Sequence, residues 1–353
     1  MRCVVLVVLA ALAAVAAPVA GASSIVSTSN ETFISLGVNA RGQALVTYRD
    51  DDGTVHETLA YGAENAIPPV ESAAQVRFTY DYSGGYTLFS GLIAKATVKL
   101  RVDQALFRTA RAAAARVGKK YTPSVTRYSA AVNKDYAAIR TLHSRFDAFD
   151  TSFSCPQYTG PKLAFMVGAC TAPDGSYWAV QQWQRRLPDY GATPTRSQAA
   201  YELHLAHWVG PLPVLTVETD WSYHKWQHLF GTFTYEGSAV YGFKSTAAGA
   251  PLDGFGRNVY LDSYDSDYGG TGWKRVNSFL THTVTGAFCY GISPHGPENL
   301  TGQGSEYRLT VMGPGVTPDV SVIVPSPGPY DAAIDAAQNL KIAALHDSLC
   351  HPN

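Results

Sequence analysis

The chain has 353 residues, 46% of them apolar, and a formal net charge of −1, an ordinary composition for a globular protein with a sizeable core. Beyond the N-terminal segment no stretch is apolar enough to span a membrane. No P-loop or Rossmann glycine pattern occurs, which argues against a nucleotide cofactor.

The N-terminus reads as a secretory signal over residues 1–22. Arg2 supplies the positive start, Cys3 to Ala17 is uninterrupted apolar sequence, and Ala20-Gly21-Ala22 gives a small-x-small cleavage site after Pro18. The predicted mature chain begins at Ser23 and is secreted or extracytoplasmic, not an integral membrane protein after cleavage. An uncleaved anchor would need about 20 apolar residues, more than this run provides. A lipid anchor would need a cysteine at the cleavage point, and Cys3 lies too early.

Residues 23–94 read as an N-terminal β-meander. Phe33–Val38, Ala44–Tyr48 and Val55–Tyr61 alternate with period two, between a turn at Asn39–Gln43 and another at Asp50–Gly53. A further β-run is predicted at Gln75–Tyr80, before Gly84-Gly85. No second copy of the unit occurs, so neither a propeller nor a solenoid is expected.

Residues 95–150 change character. Leu106, Ala110, Ala113 and Val117 recur at helical spacing, as do Val132, Tyr136, Ile139, His143 and Phe146. Helices are predicted over about 102–118 and 129–147, with Pro123 in their connector. From Lys95 to Arg145 there are twelve Lys or Arg against two acids, Asp103 and Asp135, about +10; the rest of the mature chain holds 14 basic and 26 acidic residues, about −12. Such asymmetry points to an anionic partner, such as a wall polymer, a membrane surface or nucleic acid. Two solvated helices docked on an acidic body would give the same pattern.

Residues 151–353 return to β character, with strands expected at Tyr201–Leu205, Leu215–Trp221, Phe288–Gly291 and Tyr307–Met312, and a hairpin at Phe233–Phe243 around Glu236-Gly237. Many short strands between Gly and Pro turns suggest a sandwich or an irregular barrel. Past Pro325–Pro329, Asp331 is placed to cap a final helix bearing Ile334, Ala337, Leu340 and Ala344 on one face. Cys155, Cys170, Cys289 and Cys350 remain after cleavage. An even count in an exported chain suggests two disulfides. Three pairings are open, with Cys155–Cys170 and Cys289–Cys350 favoured. No C-x-x-C pair points to a metal instead.

Four stretches carry a resemblance: Ser176–Trp183 (SYWAVQQW), Glu202–Trp208 (ELHLAHW), Asp253–Tyr260 (DGFGRNVY) and Val311–Pro318 (VMGPGVTP). The region from about 150 to 350 resembles a group of exported actinobacterial proteins of unassigned function. The resemblance implies export and one shared architecture, and transfers no catalytic residue.

Candidate chemistry lies within this region. All six tryptophans fall between residues 178 and 273. Trp208 and Trp226, with His204, His224 and His228, are the candidate ligand-binding set, since aromatic faces on a β-scaffold suit sugar rings. The alternative is that the rings fill the core, and alternation places Trp221 on the face of Leu215 and Val217. His224 and His228 at i, i+4 would offer a helix-borne metal pair, with Asp220 as a third ligand. Lys225 stands where a zincin has its glutamate.

Glu202, Glu218 and Asp220 are the candidate catalytic acids. Glu218 and Asp220 share a strand face, and Glu202 would join them if the two strands pair. Glycoside hydrolysis needs two carboxylates about 5–10 Å apart. Ser222 occupies the place of the third acid in an E-x-D-x-E strand. Asp262, Asp265 and Asp267, ahead of Gly269-Gly270, offer oxygen ligands for a structural calcium ion. Val276 falls where an EF-hand has its bidentate glutamate. No G-x-S-x-G elbow is present. The Asn30 and Asn299 sequons matter only in a glycosylating host.

The expected architecture is α+β: mostly antiparallel, sandwich-like β structure with an inserted basic helical hairpin and a C-terminal helix. The expected function is a non-catalytic envelope or extracellular binding protein for a glycan or an anionic wall polymer. A carboxylate-based, glycosidase-like exported hydrolase is the alternative.

Overall fold

The computed structural model describes residues 23–62, 78–188, 193–222, 226–235, 237–239, 243–245, 251–253, 258–266, 270–277, 287–292, 304–312 and 318–344. Within them the fold is α+β, with antiparallel sheets, a long helical hairpin and a C-terminal helix.

Strands β1 (Ser23–Ser27), β2 (Thr32–Val38), β3 (Gln43–Arg49), β4 (Val55–Gly62) and β5 (Phe78–Asp81) open the chain. The meander β2-β3-β4-β5 forms where alternation and turn residues predict it. Asn39 Oδ1 accepts from the backbone N–H of Arg41 and Gln43 at the first turn, and Asp50 and Asp52 both accept from Thr54 N at the second. Such side-chain closures are why Asn and Asp favour turns.

The meander is not a self-contained unit. Its inner face packs on a second sheet, β1-β8-β7-β6, built from β6 (Met166–Thr171), β7 (Tyr177–Gln184) and β8 (Tyr201–Trp208). Leu36, Val46 and Ala60 share one core with Cys170, Trp178, Val180 and Leu203. The sequence division near residue 150 therefore cuts through a single sandwich, because the inner-face residues of the meander share their core with strands from the far side of the helices.

Helix α1 (Thr87–Arg116) and helix α2 (Pro123–Asp150) are longer than expected. Pro123 sits in the first turn of α2, where a missing N–H costs nothing, and Thr122 caps it by accepting from Val125 N. Gly118, at φ +70°, ends α1 in a left-handed turn, with Gly118 N donating to Ala115 O and Lys119 N to Ala114 O. Each helix is roughly 45 Å long at 1.5 Å per residue. The base of the hairpin packs on the outer face of the meander through Phe89, Phe146, Phe149 and Phe153 around Leu45 and Leu59. Gly85 is essential to that seat: it holds φ +92°, and a Cβ there would lie 2.5 Å from the Phe149 ring.

A second sandwich follows. One sheet has the order β15-β14-β17-β18, from β14 (Asn258–Ser266), β15 (Gly270–Asn277), β17 (Glu306–Met312) and β18 (Val320–Pro325). The other joins β9 (Val214–Ser222), β10 (Trp226–Tyr235), β11 (Ser238–Ala239) and β16 (Ala287–Ile292), with β10 central. Leu229, Phe233, Leu261, Tyr307 and Leu309 form their common core, with Leu215 and Val217 against it. A small pair, β12 (Phe243–Ser245) with β13 (Pro251–Asp253), lies between them in sequence. Helix α3 (Ala332–Ala344) is capped by Asp331 as expected, through Ala333 N and Ile334 N. It buries Asp335, Gln338 and Ile342 rather than the predicted row, leaving Ile334 and Leu340 exposed.

Cys155 and Cys170 form the expected local disulfide. It pins the loop that carries Tyr158 and Leu163 over Trp208 on the outer face of β6–β8. Cys289 lies on β16 with its side chain outside the described residues, as is all of Cys350. Closing a 15-residue loop stabilises a fold by about 3 kcal/mol in the chain-entropy account. Replacing both Cys155 and Cys170 by Ser is therefore expected to lower the unfolding free energy by about 2–4 kcal/mol in denaturant titration, with the far-ultraviolet spectrum preserved.

Candidate functional site

The residues singled out in the sequence do not converge on one cleft. Glu202 and His204 lie on β8 in the first sandwich, and Glu218 and Asp220 on β9 in the second. Strand β8 pairs with β1 and β7, whereas β9 pairs with β10, so the two-carboxylate strand pairing does not form. Glu218 is exposed, with Lys341 of α3 at 3.9 Å. Asp220 accepts from Trp221 N.

Trp208 is fully buried, in edge and tilted contacts with Tyr158 and Tyr177. It is a core residue and does not present a stacking face. Trp178 and Trp221 are closed in the same way, and Trp221 lies on the core face with Leu215 and Val217 as predicted. The side chain of Trp226 and the whole of His224 fall outside the described residues. His228 is on strand β10, not on a helix, and bonds Ser222 Oγ through Nδ1 at 2.5 Å, so the helical metal pair does not arise at His228.

The aspartates proposed for calcium are also committed. Asp262 is buried between two guanidinium groups: Arg275 Nε donates to Oδ1 at 2.6 Å, and Arg308 Nη2 donates to Oδ2 at 2.9 Å. Two positive charges on one carboxylate leave no place for a cation. Asp265 Oδ1 accepts from Gly272 N, and Asp267 falls outside the described residues. No cluster of metal-ligating side chains occurs among the described residues.

His204 instead belongs to a buried charged chain that sequence reading missed. Glu202 Oε2 lies 3.2 Å from its Nε2, and Asp319 Oδ2 lies 3.0 Å from its Nδ1. Arg185 Nε donates to Glu202 Oε1 at 2.7 Å, and Ser23 Oγ donates to Asp319 Oδ1 at 2.9 Å. Serine here bonds the aspartate and not the histidine, so this is no nucleophile–base pair. Burial pulls the imidazole towards neutrality, but the two carboxylates outweigh it and push its pKa up to about 9. Burial raises the Glu202 carboxyl, but His204 and Arg185 more than offset this and hold it below its ordinary value.

A second feature is legible in the sequence and intact in the structure: the basic hairpin. Both acids of the Lys95–Arg145 segment are taken by one lysine, with Lys99 Nζ at 2.8 Å from Asp103 and 2.6 Å from Asp135. Among the described residues, no ion pair engages the other eleven of its twelve cations. At the tip a groove of about 720 Å³ opens between the helices, bordered by Arg111, Lys119, Lys120, Phe107, Tyr121 and Asn133. Arg111 and Lys120 stand over the Phe107 and Tyr121 rings at 5.8 and 5.6 Å, within cation–π range.

Comparison of the chain with protein-family models, curated proteins and solved structures finds no match.

The buried chain makes stability pH-dependent. The raised pKa of His204 means that its contribution is complete below about pH 6.5 and is lost as pH rises through about 9. Glu202 acts in the opposite sense, its contribution being lost as pH falls below the ordinary carboxylate range. The unfolding free energy from urea titration is expected to drop by up to about 3 kcal/mol between about pH 6.5 and pH 9.5. His204→Gln, destabilised by roughly 3–5 kcal/mol because it strands two buried carboxylates, should lose that alkaline slope. A slope unchanged in the variant would assign it to other groups.

Proposed function

We propose that the protein is exported by cleavage after Ala22 and acts outside the cytoplasm as a non-catalytic binding protein. In this reading the hairpin engages an anionic component of the cell envelope. The observation that carries it is the concentration of positive charge. Eleven of twelve cations on a projecting arm have no carboxylate partner among the described residues, while the rest of the mature chain is acidic.

Intramolecular neutralisation would have placed the acids of the body against the arm. Instead, among the described residues, the arm is seated on the body through a cluster of phenylalanines around Leu45 and Leu59. Like charges held apart from their counter-charges make a surface that attracts anions over a range set by ionic strength. The Cys155–Cys170 disulfide supports an oxidising compartment. No helix among the described residues is long and apolar enough to cross a membrane. Stacking of a neutral glycan on Trp208 is not part of the proposal, because that ring is closed inside the core.

Retention of the mature chain on immobilised polyphosphate and on isolated cell envelopes tests the reading. Retention is expected at about 0.1 M salt and release at about 0.5 M, where the screening length has fallen to a few ångströms. Arg111→Glu with Lys119→Glu and Lys120→Glu changes only exposed side chains and should weaken retention at least about tenfold with unchanged melting temperature. Retention insensitive to both salt and charge reversal would overturn the hairpin's role.

A further inference from the structure

The hairpin carries a second property that charge alone leaves unexplained. On α1, Leu88, Leu92, Val98, Val102 and Leu106 are between 40% and 59% exposed, and Val117 just beyond it is 64% exposed. At 100° per residue these six fall within an arc of about 120°. The inner face of the same helix, with Ile93, Leu100 and Ala114, is the one buried against α2. Helix α1 therefore has two apolar faces, one packed and one open. An open stripe along a whole helix is larger than the scattered exposed leucines of an ordinary surface.

Lys95 rises from within the stripe and Arg116 borders it, whereas Lys99, on the same arc, is held by Asp103 and Asp135. Exposed Tyr121 extends it past the turn, between Lys119–Lys120 and Arg127. The partner must therefore offer apolar and anionic groups side by side. A soluble polyanion would satisfy the cations and leave the stripe in water. The hairpin of a second copy would bury the stripe but bring two arms of about +10 together. An anionic bilayer surface meets both demands, with phosphates for the cations and the headgroup–acyl boundary for the apolar side chains.

We infer that α1 is a membrane-surface helix, lying on anionic lipid with the Leu88–Val117 stripe inserted. This rests on the proposed anionic partner and specifies it as lipid.

The test uses the mature chain and vesicles of phosphatidylcholine, alone or with about 30% phosphatidylglycerol, read by flotation. Co-flotation is expected only with the anionic vesicles. Val98→Gln, Val102→Gln and Leu106→Gln keep every cation and favour the helix. This variant should lose at least about tenfold in vesicle affinity while its retention on polyphosphate is unchanged. Should it fold poorly by circular dichroism, Leu88→Gln with Val117→Gln at the stripe's two ends gives the same readout.

Equal loss or equal retention on both probes would overturn the inserted stripe. Retention on polyphosphate without vesicle binding would overturn the lipid assignment and leave the anionic partner standing. Binding to neither would sink both. A stripe-dependent dimer in sedimentation, with no vesicle binding, would assign the stripe to a second copy.

Discussion

A buried carboxylate, Asp319, ties the two sandwiches together. Asp319 stands just before β18 in the second sandwich, yet it reaches three residues of the first. Its side chain meets His204 and Ser23, and its backbone carbonyl accepts from Gln181 Nε2. From there the charges alternate in sign through His204 and Glu202 to Arg185. Arg185 in turn donates to the carbonyls of Thr28 and Ser197, so it gathers the loops at that end. A buried chain of this kind is stable only while every member is present, since each charge is desolvated on behalf of its neighbour. It adds little net stability over a well-packed apolar contact. What such a chain can provide is direction, because an apolar interface can slide whereas buried charges must be met by their partners.

The second contact between the halves follows the same logic. Arg308 and Arg275 close on Asp262 within the second sandwich. Their outer faces are covered by Trp273 and Tyr260, and Arg308 also stands over Phe165, which comes from the first sandwich. Arg275 N donates to Pro188 O nearby. Of the tryptophans and histidines that looked like a binding face in the sequence, Trp208, His204 and His228 are buried in these cores and seams. Residue types suited to ligands are also those suited to polar seams between sheets, because both need an apolar body with a polar tip.

Sequence reading was strongest where local chemistry decides the structure. The Asn39 and Asp50–Gly53 turns, the alternation of β3 and β4, the Asp331 cap and the Cys155–Cys170 pair are each set by residues a few positions apart. It was weaker for α1, whose first half has no clean 3.6-residue pattern because apolar residues occupy two faces. Pro123 looked like an interruption and is a helix start. Nothing local could reveal the Asp319 junction: Ser23 and Asp319 are 296 residues apart, and a lone aspartate after a proline carries no signal of its partner. The same holds for Asp262, whose neighbouring aspartates suggested a cation until two distant arginines proved to occupy it. The charge imbalance of 95–145 was legible from composition alone, because no nearby acid cancels it.

The seat of the hairpin has a mechanical consequence. Four phenylalanines, with neighbouring ring centroids 5.3 to 5.8 Å apart, form the base, and from it the arm extends roughly 45 Å. The arm is in effect a cantilever. A tilt of about 5° at the base, small enough for rings to accommodate by sliding, carries the tip through about 4 Å. A body that stays rigid therefore still leaves the far end room to shift by about 4 Å. Gly85 sets where the pivot sits, since any side chain there would drive the Phe149 ring from its place and shift the axis of the whole lever.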